Sequence, residues 1–349
     1  MSTFTIGARR IGRGEPVYIV AELSANHNQN VEHAAKLVAA AKDAGADAVK
    51  LQTYTPDTLT LDCDKRAFQI SGDTLWDGQT LHALYRKAFM PWAWQPRLKE
   101  IAESIGLDLF SAAFDATAVD FLETMNVPAH KIASFEIVDI PLIEKAAATG
   151  KPLILSTGMA SLEEIHEAVE AARGAGAREL ALLKCTSAYP APPEAMNLRT
   201  IPHLAATFGV PVGLSDHTMG IAAPIAAVAL GASIVEKHFT FSRAVPGPDS
   251  AFSLEPDEFK AMVEAIRATE KALGSVRYGP GAEEMTSRAF RRSLFVVEDV
   301  KSGERLTEKN VRSIRPADGL HPRHLHEIIG RSARRDIESG TPLSWDIVE

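Results

Sequence analysis

Cysteine is scarce: Cys63 and Cys185 are the only two, too few for a disulfide framework and without zinc-finger spacing, so a reducing compartment such as the cytoplasm is expected. Positive charge is also short. Against 45 Asp and Glu there are 37 Lys and Arg, a net −8 with no basic cluster. A nucleic-acid partner is therefore not expected, and an anionic substrate would have to be met by local positive charge. No apolar run is long enough to span a bilayer, and the opening Met1–Ile6 lacks the charged-then-apolar pattern of a signal peptide, so no membrane association is expected. Missing too is a G-x-G-x-x-G after the first strand, where Ala21-Glu22-Leu23-Ser24-Ala25-Asn26 stands instead; this argues against a doubly wound dinucleotide-binding sheet.

What is present is alternation. Short β-rich apolar runs at Val17–Leu23, Ala48–Thr53, Leu107–Ala112, His130–Ser134, Pro152–Ser156, Leu180–Cys185, Val210–Leu214 and Ser233–Lys237 read as strands. Helical stretches lie between them, among them Val31–Ala44, Trp94–Ser104, Ala118–Met125, Leu162–Ala175 and Pro224–Leu230. Eight βα units in residues 1–275 match the length of a (β/α)8 TIM barrel, roughly 250 residues. One joint recurs at Ala44-Gly45-Ala46, Ala175-Gly176-Ala177 and Leu230-Gly231-Ala232. In each, glycine can end a helix in the left-handed conformation and alanine lets helix and sheet pack closely. A long insertion, Tyr54 to Pro91, reads either as a functional lid or as a surface excursion whose tryptophans pack on the barrel rim. Residues 276–290 read as a linker around Tyr278-Gly279-Pro280-Gly281, and 291–349 as a small β-rich domain. Within it Asp299–Glu304 and Asp336–Thr341 are near copies, each expected to be a hairpin-like turn.

The strand ends carry the chemistry, because a TIM barrel builds its active site at the C-terminal ends of its strands. In order they offer Glu22, Lys50 with Gln52, Ser111, Lys131 with Ser134 and Glu136, Ser156 and Thr157, Lys184 with Thr186, Ser215 to His217, and Glu236 to His238. Several lysines facing one cavity repel each other unless an anion neutralises them, which points to a phosphorylated or polycarboxylate substrate. Serine hydroxyls can complete a phosphate cradle. His217 and His238 end neighbouring strands and could hold one divalent metal, leaving positions for substrate and water. Asp249, just past the last strand, could hold a metal-bound water or a sugar hydroxyl. Glu22 could orient a water or take a proton; its plainer reading is an ion pair with Lys50.

With those residues in place the sequence resembles the sialic acid synthase family, a phosphoenolpyruvate-condensing barrel followed by a small antifreeze-like (SAF) domain. The resemblance is carried by Ala21–Asn28, Lys50-Leu51-Gln52-Thr53-Tyr54, Lys131–Glu136, Leu155–Met159, Lys184–Pro190, Gly213–Thr218 and Glu236-Lys237-His238-Phe239. Ser24-Ala25-Asn26, Tyr54–Asp57 and Leu75-Trp76-Asp77 are most similar to the branch that makes pseudaminic acid; N-acetylneuraminate and legionaminate are the alternatives. The resemblance implies that Lys50, Lys131, Ser134, Ser156 and Ser215, joined by Ser111, contact phosphoenolpyruvate. It also implies that Gln52, Lys184, Tyr189 and Asp249 line the substrate site. Glu22 would position substrate or water, Glu136 would organise sugar contacts, and His217 and His238 would hold Mn2+, or Mg2+ or Co2+. Arg315 and Phe290 would reach the site of the other subunit in a domain-swapped homodimer.

Two other classes remain open on the residues. A Schiff-base aldolase could use Lys131, Lys184 or Lys237, although the paired histidines would then have no role. A non-catalytic sugar-binding protein would bind without turnover.

Overall fold

The computed structural model describes residues 3–72 and 74–349. A hairpin of β1 (Phe4–Ile6) and β2 (Arg9–Ile11) precedes eight strands that close a parallel barrel. They are β3 (Tyr18–Glu22), β4 (Ala48–Thr53), β5 (Asp108–Ala113), β6 (His130–Ile132), β7 (Leu153–Ser156), β8 (Leu180–Cys185), β9 (Val212–Asp216) and β10 (Ile234–His238). Each pairs with its successor, and β10 returns to β3. Helices such as Val31–Asp43, Gln95–Ser104, Leu162–Gly174 and Pro256–Leu273 alternate with the strands.

Local chemistry explains the elements. Ser161 and Glu164 form a reciprocal capping box that starts the 162–174 helix, and Asn30 accepts from the His33 amide to start the 31–43 helix. The recurring joint behaves as its sequence implies: Gly45, Gly176 and Gly231 have φ of +90°, +108° and +96°. The strand faces turned away from the site are aliphatic, with Ile19, Val49, Leu109, Ile132, Leu155, Leu182 and Leu214 all buried. At the opposite end, Arg9 of the hairpin pairs with Asp47 at 3.2 Å and Asp108 at 3.5 Å. Tyr18 donates to the same Asp108 at 2.9 Å.

The expected strand His130–Ser134 is refined. β6 stops at Ile132, and Ser134–Glu136 is a single 3-10 turn rather than the end of a strand. There the Glu136 amide bonds back to the Ala133 carbonyl at 3.2 Å instead of continuing the ladder.

Residues Met1–Gly274 and Ser275–Glu349 form two compact units. The second has a core of its own, including Leu294, Val296, Val311, Ile337 and Leu343. Regular strand is limited to β11 (Ser293–Val296) and β12 (Val311–Ile314), paired antiparallel. The two near copies are more than separate turns, because they pair with each other. Val300 and Ile337 exchange backbone hydrogen bonds of 2.9 and 2.8 Å. Asp299 accepts from the Ser339 amide and Asp336 from the Ser302 amide, each at 2.8 Å.

Gly213 of β9 shows how closely the barrel is packed: a Cβ there would stand 2.4 Å from the Ile234 carbonyl oxygen. Gly213→Ala is expected to cost about 1–3 kcal/mol, as overpacking does, and to lower the melting temperature by several degrees. Gly174→Ala, where a Cβ meets nothing, is the control and should leave melting unchanged or raised. Thermal denaturation of both variants checks this.

Candidate active site at the carboxyl ends of the barrel strands

Strand side chains alternate between faces, so residues two apart point the same way. Lys50 and Gln52 of β4 therefore share a face, as do Glu236 and His238 of β10. Register completes the grouping. Glu22 stands opposite both Lys50 and His238, and Glu236 opposite Ser215.

A buried ion cluster results. Lys50 Nζ lies 2.6 Å from Glu22 Oε2 and 3.3 Å from Glu236 Oε1, and all three side chains are almost wholly withdrawn from solvent. Ser215 donates to the same Glu236 oxygen at 3.2 Å, while Gln52 donates to Glu22 Oε1 at 3.2 Å. Burial raises the Glu22 carboxyl to about 7 against the pull of Lys50, with Glu236 adding to the rise. Burial works against Glu236 as well, yet Lys50, Lys131 and His217 together hold it below the usual carboxylate range. Two carboxylates thus share one nearby ammonium, and Lys50 is held charged.

Lys131 is different. It is 1% exposed, and its ammonium donates to Ser156 Oγ at 2.7 Å and the Ile132 carbonyl at 3.0 Å, both neutral oxygens. Burial pushes its pKa down. A buried ammonium whose hydrogen bonds go only to neutral oxygens can be neutralised further by a bound anion. Beside it, Ser134 Oγ accepts from the Gly158 amide at 3.1 Å. A Cβ on Gly158 would stand 2.7 Å from that oxygen, so only glycine permits this approach. Lys184, expected to line the site, is instead in register with Leu214 on the face opposite Ser215; it is half-buried, donating to the Cys185 carbonyl at 2.6 Å and Thr186 Oγ1 at 3.2 Å. Lys237 belongs to the opposite face of β10 from Glu236 and His238, and pairs with Asp216 at 2.5 Å with both side chains fully buried. Of the three lysines open to Schiff-base chemistry, it is therefore sealed in a structural pair.

The two imidazoles meet as the strand ends predicted, with ring centroids 5.3 Å apart. His217 Nδ1 lies 2.9 Å from the Thr186 carbonyl, so that nitrogen donates and Nε2 carries the lone pair. His238 Nδ1 is buried without a hydrogen-bond partner. Burial, followed by the charge of His217, holds the His238 pKa well below its ordinary value. Burial opposes charge on His217, yet Cys185, the Thr186 carbonyl and Asp216 raise its pKa, so of the pair it is His238 that is held neutral; a divalent first-row metal could take the place of the His217 proton. Among the described residues no group of three or more His, Cys, Asp and Glu side chains could hold a metal, so remaining ligands would come from substrate and water. Tyr189 lies tilted against His217 with ring centroids 4.4 Å apart, and Phe252 packs edge-on to His238 at 4.9 Å. Asp249 accepts from the Ser24 hydroxyl and, at 3.4 Å, from the Ala25 amide.

Ser111, expected among the phosphoenolpyruvate contacts, is instead in register with Leu51 and so on the face of the sheet opposite Lys50, Gln52 and Lys131; its hydroxyl lies 2.6 Å from Thr53 Oγ1, which donates to Gln95 Oε1 at 2.8 Å. Gln95 escaped the sequence reading because it starts a helix far from any strand end. Cys185 was read only for its scarcity. Its sulfur sits 3.9 Å from His217 Nδ1, and despite burial that contact brings the thiol down to about 7. His27 is buried against the insertion, with Nε2 3.2 Å from the Ala88 carbonyl, and is a structural latch. Arg315 and Phe290 lie in the second unit, both exposed. The Arg315 loop is pinned by Ser293, which donates to the Pro316 carbonyl at 2.6 Å and accepts from the Gly319 amide at 2.9 Å.

Glu136 Oε2 is buried without a hydrogen-bond partner, and burial raises its carboxyl from 4.5 to about 7. The folded state holds this proton more tightly than the unfolded chain, so ionising it costs stability between those two values. Glu136→Gln should therefore gain stability relative to the parent as pH rises from about 4.5 to 7. A difference in melting temperature that stays flat across that range would contradict this.

The NeuB family profile matches residues 37–278 and the SAF domain profile residues 291–349. Pseudaminic acid synthase of Helicobacter pylori is 48% identical, over 96% of this chain and 98% of its own length. Pseudaminic acid synthase of Campylobacter jejuni is 46% identical, over 94% and 95%. Among solved structures, N-acetylneuraminic acid synthetase from Leptospira borgpetersenii superposes with a TM-score of 0.73 at 32% identity, over 82% of this chain and 95% of the other. Spore coat polysaccharide biosynthesis protein SpsE from Bacillus subtilis does so at 0.68 and 36%, over 100% and 99%.

Proposed function

The chain belongs to the NeuB family, and from that premise we propose that it is a pseudaminic acid synthase. It condenses phosphoenolpyruvate with open-chain 2,4-diacetamido-2,4,6-trideoxy-altrose and water, giving a nine-carbon nonulosonic acid and phosphate. The observation that carries this reading is Lys131, a buried ammonium hydrogen-bonded only to neutral oxygens, in the same strand-end cluster as two paired imidazoles. A site that needs both an anion and an electrophile-activating metal suits this condensation. The pseudaminic acid synthases at 46–48% identity support the choice of sugar.

The residues divide the work. Lys131 and Ser156 meet the anionic groups of phosphoenolpyruvate, with Lys50, Ser134 and Ser215 bordering them; Ser111 and Lys184, in register with Leu51 and Leu214 on the other strand face, are left out of this contact. A divalent metal, Mn2+ being our first choice, supplies Lewis acidity at the aldehyde when held by His217 and His238. C3 of phosphoenolpyruvate forms the new bond to the aldehyde carbon, whose oxygen becomes a hydroxyl. Water adds at C2, the C2–O bond breaks, and phosphate leaves with the bridging oxygen. Glu22, poised near neutrality by burial, orients that water or takes its proton. Gln52 fixes Glu22 through its hydrogen bond. Glu136, with a free buried oxygen, and Asp249 and Tyr189 hold the sugar. Arg315 and Phe290 complete the site from the second unit of a partner in a domain-swapped homodimer. A cytoplasmic location agrees with both substrates and with the absence, among the described residues, of a helix able to cross a membrane.

Phosphate release from phosphoenolpyruvate and Mn2+ should depend on the trideoxy sugar, and in H2(18)O the label should enter the sugar acid and not the phosphate. Sugar-independent release, or labelled phosphate, would overturn the reading. His238→Ala should lose bound metal measured by elemental analysis, and Arg315→Ala should retain it while turnover falls by at least about tenfold, the scale of one lost transition-state contact. Equal metal content in the parent and His238→Ala would remove the histidines from the metal site.

A further inference from the structure

The insertion after β4 is not uniform. Trp92 donates to the Tyr54 carbonyl at 3.0 Å and packs on Phe121, and Trp94 stands edge-on to His27, so both serve the barrel rim. Trp76 does not. It sits at the tip of a ribbon in which Ile70 donates to the Gln79 carbonyl at 2.9 Å and Gly78 to the Ile70 carbonyl at 3.1 Å. Asp77 shapes that tip by accepting from the Thr74 amide and hydroxyl at 3.0 and 2.6 Å. From there the indole donates to the Pro248 carbonyl at 3.0 Å, and its ring lies 5.8 Å from Tyr189.

These contacts have a topological meaning. The ribbon springs from β4, whereas Tyr189 follows β8, and β4 and β8 are diametrically opposite in the eight-stranded ring. Pro248 follows β10. The ribbon therefore straps the mouth of the barrel, held at its far end by one indole. The rings Trp76, Tyr189 and His217 form a series with centroid spacings of 5.8 and 4.4 Å, leading outward from the paired imidazoles.

We propose that Trp76 is a specificity-determining residue that closes over the distal end of the sugar and supplies apolar surface to its C6 methyl group. The inference rests on the reaction proposed above. An aldehyde held beside His217 and His238 places C6 at the outer end of a six-carbon chain, toward the strap. Trp76 is only half-buried, which leaves indole surface for a ligand. A methyl group there is favoured over a hydroxymethyl group, which would lose water without gaining a partner. Carbohydrate C–H surfaces and methyl groups pack well on aromatic faces.

The test uses the full-length protein with phosphoenolpyruvate, Mn2+ and either the 6-deoxy sugar or its 6-hydroxy counterpart, with phosphate release as readout. Trp76→Ala should raise KM for the 6-deoxy sugar roughly tenfold, the scale of a lost methyl-sized contact, with KM for phosphoenolpyruvate within about twofold. Its preference for the 6-deoxy over the 6-hydroxy sugar should shrink by a similar factor. Trp76→Phe should recover most of both, and Leu75→Ala on the same tip should change neither. An unchanged sugar KM and preference in Trp76→Ala overturns the assignment, as does an equal rise in both KM values. If the parent protein releases no sugar-dependent phosphate with either sugar, the proposed reaction fails and this inference falls with it. Turnover by the parent with no effect of Trp76→Ala defeats the inference alone.

Discussion

The site rests on the sharing of one ammonium by two carboxylates withdrawn from bulk solvent. Lys50 lies within 4 Å of both Glu22 and Glu236, and none of the three has appreciable access to solvent. Charges so placed are tolerated only with close partners, because each lost its hydration on folding. The rest of the mouth follows from that arrangement. Gln52 and Ser215 supply the hydrogen bonds that the carboxylate oxygens still need. Lys131 stays without a carboxylate of its own, available to a ligand.

The barrel makes this cluster affordable by dividing labour along each strand. The buried lower segments are aliphatic and close-packed, as at Gly213, where there is no room for a methyl group. Polar atoms concentrate at the carboxyl ends, where the turns after β6 and β7 bring Ser134 and the Gly158 amide together. Alternation then separates the roles of adjacent residues. Glu236 and His238 belong to the site, while Lys237 between them is consumed by Asp216.

Much of this was legible in the sequence, for identifiable reasons. A parallel strand buried on both faces reads as an apolar run, and glycine at a helix end requires a left-handed backbone, so β4 and β8 were delimited to the residue and the Ala-Gly-Ala joints were recognised. The histidines and lysines stood out because ionisable groups are rare in such runs. What escaped detection depended on contacts across long sequence distances. Nothing near Gln95 announces that it will anchor Thr53 and, through it, Ser111. Likewise, the near copies in the second unit looked like two independent turns, since mutual pairing of Val300 with Ile337 leaves no local mark. The insertion was readable as lid or rim packing, and the structure assigns its tryptophans to different tasks.

The barrel closes where β10 returns to β3, and there His238 is in register with Glu22. These residues come from the first and last strands of the ring, so their pairing closes a loop containing nearly the whole domain and carries the largest entropic cost of any strand pair. His238 and Glu236 on one side of the seam thus meet Glu22 on the other. Any incomplete assembly of the barrel, however much of the ring it has formed, lacks a working centre. Folding intermediates and truncated chains are for this reason inert by construction, and activity reports closure of the ring itself.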